Sequence, residues 1–174
     1  MAIPTPQLRK ALLSDLPELL TLARTAFVQA FTEGNTPENV AAYMEVAFTE
    51  EQFGQELQEP ASTFILASWE GRLVGYTKVN LPPAQTDLNE SDTVEVARLY
   101  VLEEVLGLGV GQLLFDAAVA FGKQEGKAWL WLGVWEHNAR AIRFYEKNGL
   151  VRFGSHPFPF GDEVQNDWLM RKGI

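Results

Sequence analysis

Three glycines alternate with aliphatic residues in Gly107-Leu108-Gly109-Val110-Gly111, between a strand-like run and a helix-like run. No other stretch of the chain limits the fold as much. Upstream, Thr93 to Val101 is rich in β-branched and aromatic residues and reads as a strand. Downstream, Val110, Leu113, Leu114, Ala117, Ala118 and Phe121 recur on one face of a helix that Gly126 ends. A strand that enters a helix through glycines brings the helix's unpaired N–H groups and its partial positive charge to the turn. Glycine also allows close backbone approach and unusual dihedrals there. Such a turn makes a cradle for a diphosphate, although a plain strand-to-helix connection asks for glycine too. Two nucleotide classes drop out. The dinucleotide fingerprint fails at Gln112, where its third glycine belongs, and the triphosphate motif fails because no Gly-Lys-Ser/Thr follows.

The flanking pattern points to an α/β domain with one mixed sheet. Asp15 and Glu18 have capping-box spacing, and Leu16, Leu19, Leu20, Ala23, Phe27 and Phe31 follow at helical spacing. Thr36-Pro37-Glu38 and Thr49 with Gln52 read as two more helix starts, so residues 14–58 are expected to be mostly helical. Residues 63–69 and 73–80 then read as a hairpin about Glu70-Gly71-Arg72, followed by a polar loop with Pro82, Pro83, Asn89 and Ser91. Residues 128–135 are apolar on both faces, as a central strand is. Asn138 is placed to cap a last helix, Gly149 to end it, and short strands near 150–154 and 167–170 finish the chain. No linker or repeat divides the sequence, and 174 residues suit a single domain over 1–174.

Composition narrows the chemistry. With no cysteine, disulfides, thiolate metal sites and a cysteine nucleophile are excluded, and two histidines make a multi-histidine metal site a poor expectation. A formal net charge of -9 repels nucleic acid and anionic lipid and attracts small cations, though acidity alone also keeps a protein soluble. There is no apolar run long enough for a bilayer and no signal-peptide pattern in Met1 to Lys10, so the expected location is the cytoplasm. Trp129, Trp131 and Trp135 alternate along one strand and are assigned to core packing rather than to base stacking. Asp162, Glu163 and Asp167 are set aside as ordinary exposed carboxylates.

The glycine turn and its surroundings resemble the GNAT N-acetyltransferases. Their signature, a basic residue or glutamine, two residues and G-x-G or G-x-A, falls on Gly109 and Gly111, with Leu106 where Arg or Gln is usual. "RLYVLEEV", "WLGVWEHNARAIRFYEKNGL" and "GDEVQNDWLM" all have GNAT counterparts. The helical segment from Ala26 to Leu57 is similar in style to the bacterial spermidine/spermine N-acetyltransferases of the PaiA type. The resemblance implies a mixed, mostly antiparallel sheet splayed at the cofactor strand and flanked by helices. It implies acetyl-CoA as co-substrate, held by the backbone of Leu99, Tyr100 and Val101 along its pantetheine arm. The diphosphate would lie on Leu106, Gly107, Leu108, Gly109, Val110, Gly111 and Gln112.

Asn138 and Lys147 would also approach the cofactor, against the simpler readings of a helix N-cap and a solvated helix-end lysine. Tyr145 would protonate the departing thiolate, unless it is only a core aromatic beside Ala141 and Ile142. Glu95, charged within an apolar strand, is expected to point at the cleft and take the amine's proton, or else to sit in an ion pair. The implied reaction is direct acetyl transfer in a ternary complex to a small cationic amine such as spermidine or spermine, without a metal and by a monomer or homodimer. Another amine (a protein N-terminus, an amino acid, an antibiotic) and a non-catalytic acyl-CoA sensor are the alternatives.

Overall fold

Thr36 and Thr49 each accept the N–H of the residue three positions on, Asn39 at 3.2 Å and Gln52 at 3.1 Å. They start helices α2 (Pro37–Ala47) and α3 (Glu50–Gln58), as their sequence context predicts. Asp15 behaves otherwise. Its carboxylate turns back to accept the Leu12 N–H at 2.7 Å and to bind Arg9 at 2.7 Å, so α1 (Leu16–Phe31) has no side-chain cap. The buried face of α1 carries Leu19, Leu20, Ala23 and Phe27, the residues its periodicity selects.

The computed structural model describes residues 5–174; the part of the signal-peptide reading that falls on residues 1–4 lies outside the described residues. The strands are β1 (Gln7–Lys10), β2 (Ser62–Trp69), β3 (Arg72–Asn80), β4 (Thr93–Val101), β5 (Trp129–Trp135), β6 (Val151–Phe160) and β7 (Glu163–Gly173). They form one seven-stranded sheet in the order β1-β2-β3-β4-β5-β7-β6, antiparallel except for the β4–β5 pair. Helices α1 to α3 cover one face through Leu19, Phe27, Phe53, Phe64 and Tyr76. Helices α4 (Val110–Gln124) and α5 (Ala139–Lys147) cover the other through Phe115, Ala118, Leu132, Ile142 and Tyr145. On β5 the face towards α4 and α5 is buried at Leu130, Leu132 and Val134, whereas on the other face Trp131 is buried and Trp129 and Gly133 are exposed, so the apolar run does not mark a strand covered on both sides.

Three features depart from the sequence reading. The edge strand β1 is exposed along its whole length and so has no hydrophobic alternation to announce it. The two short C-terminal strands are instead one long hairpin of 10 and 11 residues. Pro157 and Pro159 hide β6, yet β6 is the sheet's other edge, bonded only to β7, where a missing N–H is tolerated. Of the three tryptophans, only Trp131 is core; Trp129 is 38% exposed beneath the Arg171 guanidinium, and Trp135 is half-buried.

Candidate active site

β4 and β5 pair only from Thr93 to Glu95, opposite Trp129 to Trp131. Beyond that point β4 keeps its bonds to β3 through Val101, and β5 keeps its bonds to β7 through Trp135. The facing edges part. A bulge marks the place: Ala97 is the extra residue between Val96, opposite Val79, and Arg98, opposite Lys78. Bulges bend a strand and increase its twist, which turns β4 away from β5. Leu99, Tyr100 and Val101 therefore present one main-chain edge with no strand opposite, an arrangement that suits an extended ligand.

The glycine turn lies at the end of that edge. Gly109, immediately before α4, has φ 87°, a left-handed conformation that favours glycine. Among the described residues no backbone carbonyl accepts the N–H groups of Val110, Gly111 or Gln112. A Cβ built on Gly107 or Gly109 would meet nothing within 4 Å, so the space before these amides is open. The chain's residues fit an anion there through main-chain dipoles. Leu106 is half-buried and Leu108 is 55% exposed, so neither adds charge to the cradle. Gln112 and Asn148 exchange two hydrogen bonds, 2.7 and 3.2 Å, that hold the end of α5, and with it exposed Lys147, against the first turn of α4.

The splayed strands open into a groove of about 170 Å³. It is lined by β4 from Val96 to Tyr100, by Trp135, Asn138, Ala141 and Tyr145, and by the aromatic residues Phe27, Phe31, Tyr43, Phe158 and Phe160. A larger and shallower depression of about 420 Å³ lies beside Trp69, Arg72, Glu104 and Leu108. Of its three charged residues, Arg72 and Glu104 are paired with each other and the third, Glu70, is exposed on the tight turn between β2 and β3. The groove, with the unpaired strand edge along it, is the better site despite its smaller volume.

Asn138 caps α5, accepting the Ala141 N–H at 3.1 Å, and lines the groove as well. Tyr145 is 8% exposed, packs on Phe115 and reaches the groove from α5. Burial pushes its phenol up to about 12, so it carries its proton at neutral pH. Arg98 also lines the groove, but Glu56 holds its guanidinium at 2.6 and 3.1 Å and holds the Lys78 ammonium at 3.0 Å.

Glu95 requires a correction. It is 2% exposed, does not line the groove and, among the described residues, sits in no ion pair. It accepts from Asn80 Nδ2 at 3.1 Å, the Thr86 N–H at 3.0 Å and the Thr86 hydroxyl, pinning the 81–92 loop to β4. Burial raises its pKa. The sequence places a carboxylate in a strand but not the direction it faces.

The carboxylate that does reach the groove is Asp167 on β7, one of the three set aside as exposed. Asp162 and Glu163 are exposed, whereas the Asp167 side chain is 15% exposed. Burial raises its pKa, and neighbouring His156 opposes the rise. The signal available was the one that singled out Glu95: a charge inside a strand, here followed by Trp168-Leu169-Met170.

Comparison with known proteins bears on the family and the fold. The sequence matches the Acetyltransferase (GNAT) family over residues 20–150. The chain belongs to that family. This GNAT enzyme is 36% identical over 160 residues to an uncharacterised N-acetyltransferase of Lactobacillus delbrueckii subsp. lactis, covering 92% of each chain. It is 29% identical over 91 residues, 52% of its own length and 60% of the relative's, to the spermine/spermidine N(1)-acetyltransferase of Bacillus subtilis. Among solved structures it resembles the PaiA N-acetyltransferase of Thermoplasma acidophilum in complex with coenzyme A, with TM-score 0.78, 20% identity, and coverage of 98% and 99% of the two chains. It is thus an acetyl-transferring enzyme on a seven-stranded GNAT sheet.

Proposed function

We propose that this enzyme transfers acetyl from acetyl-CoA directly to a primary amine of a small cationic acceptor, of the polyamine kind exemplified by spermidine and spermine. The observation that carries the reading is the unpaired edge of β4, which leads into the glycine cradle. The pantetheine arm pairs with Leu99, Tyr100 and Val101, and the diphosphate lies on the main-chain N–H groups between Leu106 and Gln112. Asn138 and Lys147 flank the cofactor. Tyr145 gives its proton to the departing thiolate: it lines the groove, and its phenol is protonated at neutral pH, although burial makes it a weaker acid than a free tyrosine. Without a cysteine no acyl-cysteine intermediate forms, so both substrates bind together.

The polyamine is supported by the partial likeness to the Bacillus subtilis enzyme and by the acidic chain. No helix among the described residues is long and apolar enough to cross a membrane. Thiol release from acetyl-CoA with spermidine, spermine and a panel of other amines, including peptide N-termini, tests the reading. Turnover on polyamines is the expected result. In Tyr145→Phe, kcat falls by roughly 10²–10⁴-fold while calorimetry returns an unchanged Kd for coenzyme A. Indifference of turnover to this substitution would remove Tyr145 from the chemistry.

A further inference from the structure

The acceptor's proton needs a way out. An ammonium acceptor carries three protons on nitrogen and the amide product one. Of the two lost, one is balanced by the proton that ends on the coenzyme thiol. The other leaves the site as the C–N bond forms and the C–S bond breaks.

Asp167 is the carboxylate that lines the groove among the described residues. It stands opposite Trp135 on β5 and opposite His156 on β6, so two strand registers fix its place. His156 Nε2 is 3.8 Å from Asp167 Oδ2, and His156 Nδ1 is 2.7 Å from Asp87 Oδ2. Gly133 makes the room. A Cβ there would lie 3.6 Å from Asp167 Oδ2 and 3.7 Å from His156 Nε2, where a longer side chain would displace both. The row opens outward, with side chains 15% exposed at Asp167, 24% at His156 and 41% at Asp87.

Asp87 belongs to the 81–92 loop, and the buried Glu95 anchors that loop at the adjacent Thr86. The residue expected to take the proton thus holds the far end of the row in place. His156 faces a carboxylate at each ring nitrogen, Asp87 at Nδ1 and Asp167 at Nε2, so its ring can pass a proton from one to the other.

We infer that Asp167 is the group that anchors the acceptor's ammonium and takes its proton, and that His156 and Asp87 position it and carry the proton to solvent. The inference rests on the acetyl-transfer reading above and assigns the acceptor end of the same groove. In the step, an N–H bond of the acceptor breaks and an O–H bond forms on Asp167. The proton passes to Nε2 of His156 as the Nδ1 proton passes to Asp87, which releases it to water. Four charged or titratable groups face this centre. His156 from β6 lowers the pKa of Asp167, Glu136 after β5 raises it, Asp87 stands behind His156, and Tyr43 from α2 faces it across the groove.

The test is the pH dependence of kcat/KM for the amine, measured on the full chain with saturating acetyl-CoA. Asp167→Asn is expected to lose roughly 10²-fold near neutrality, with the deficit shrinking as pH rises and the free amine becomes abundant. Asp167→Glu recovers part of the loss. His156→Gln removes a neighbour that holds the Asp167 pKa down, so the acid limb of the profile moves to higher pH. A merely structural role moves none of these limbs. Unchanged coenzyme A affinity and melting temperature show that the variants fold.

Equal kcat/KM and superimposable profiles for Asp167→Asn and wild type overturn the relay and leave acetyl transfer standing. A wild-type protein that binds coenzyme A yet acetylates no cationic amine overturns both readings.

Discussion

Beside the groove, Arg98 and Lys78 share one carboxylate, Glu56, and all three side chains are no more than 14% exposed. Desolvation pushes the Glu56 pKa up, but the Arg98 and Lys78 charges outweigh it and hold it below the ordinary value. The Arg98 guanidinium also lies over Phe53 at 4.9 Å, an attraction that persists only while the cation is held in place. Replacing Glu56 by Gln leaves two buried cations without a counter-charge, which costs about 3–5 kcal/mol. The sign with pH follows. A carboxylate with a depressed folded-state pKa contributes its stability above its unfolded value and loses it as pH falls through the folded one. Urea denaturation of Glu56→Gln against wild type should show the full deficit at neutral pH and a narrowing gap below about pH 4. A constant gap down to strong acid would mean that the lost contribution is packing rather than charge.

At the scale of elements, the glycine turn and helix α4 carry the cofactor reading, and Gly109 tests it. A methyl group at Gly109 touches no protein atom within 4 Å, so its cost to the fold is the left-handed φ alone, about 1–2 kcal/mol. On the cradle reading the same methyl group would crowd a diphosphate lying before the free amides of α4. Gly109→Ala should therefore weaken coenzyme A binding at least tenfold in calorimetry while lowering the melting temperature by only about 4–8 °C or less. Unweakened binding would place the diphosphate elsewhere.

This turn was legible in the sequence because the left-handed backbone at Gly107 and Gly109 and the start of α4 fall within one short glycine-rich run. The caps at Thr36 and Thr49, the apolar run of β5 and the helical period of α4 were legible for similar reasons, since each is a local pattern. Asp167 was not, because its burial depends on a hairpin partner that two prolines disguise and on a glycine 34 positions earlier in the chain. Glu95 was legible as a buried charge, but its direction is set by a loop whose path no local period encodes.

For the whole molecule, 14 basic and 23 acidic residues leave a net charge of -9, and this field acts on the two substrates with opposite sign. On the proposed reading a polycationic amine is drawn in, whereas the polyanionic coenzyme approaches against the field and would be held by amide dipoles rather than by a basic cluster. Main-chain dipoles at the cradle act only over the first helical turn and cannot steer from a distance. Added salt shortens the Debye length from about 30 Å at 0.01 M to about 3 Å at 1 M, so it should weaken both long-range effects. Raising ionic strength is thus expected to lower kcat/KM for the amine several-fold and to raise it, or leave it level, for acetyl-CoA. The fall should be steeper for spermine than for a monoamine, because a diffuse field pulls in proportion to ligand charge whereas a single contact with Asp167 does not. Equal slopes for monoamine and polyamine would place recognition in that contact alone and would deny the acidic surface any part in choosing the substrate.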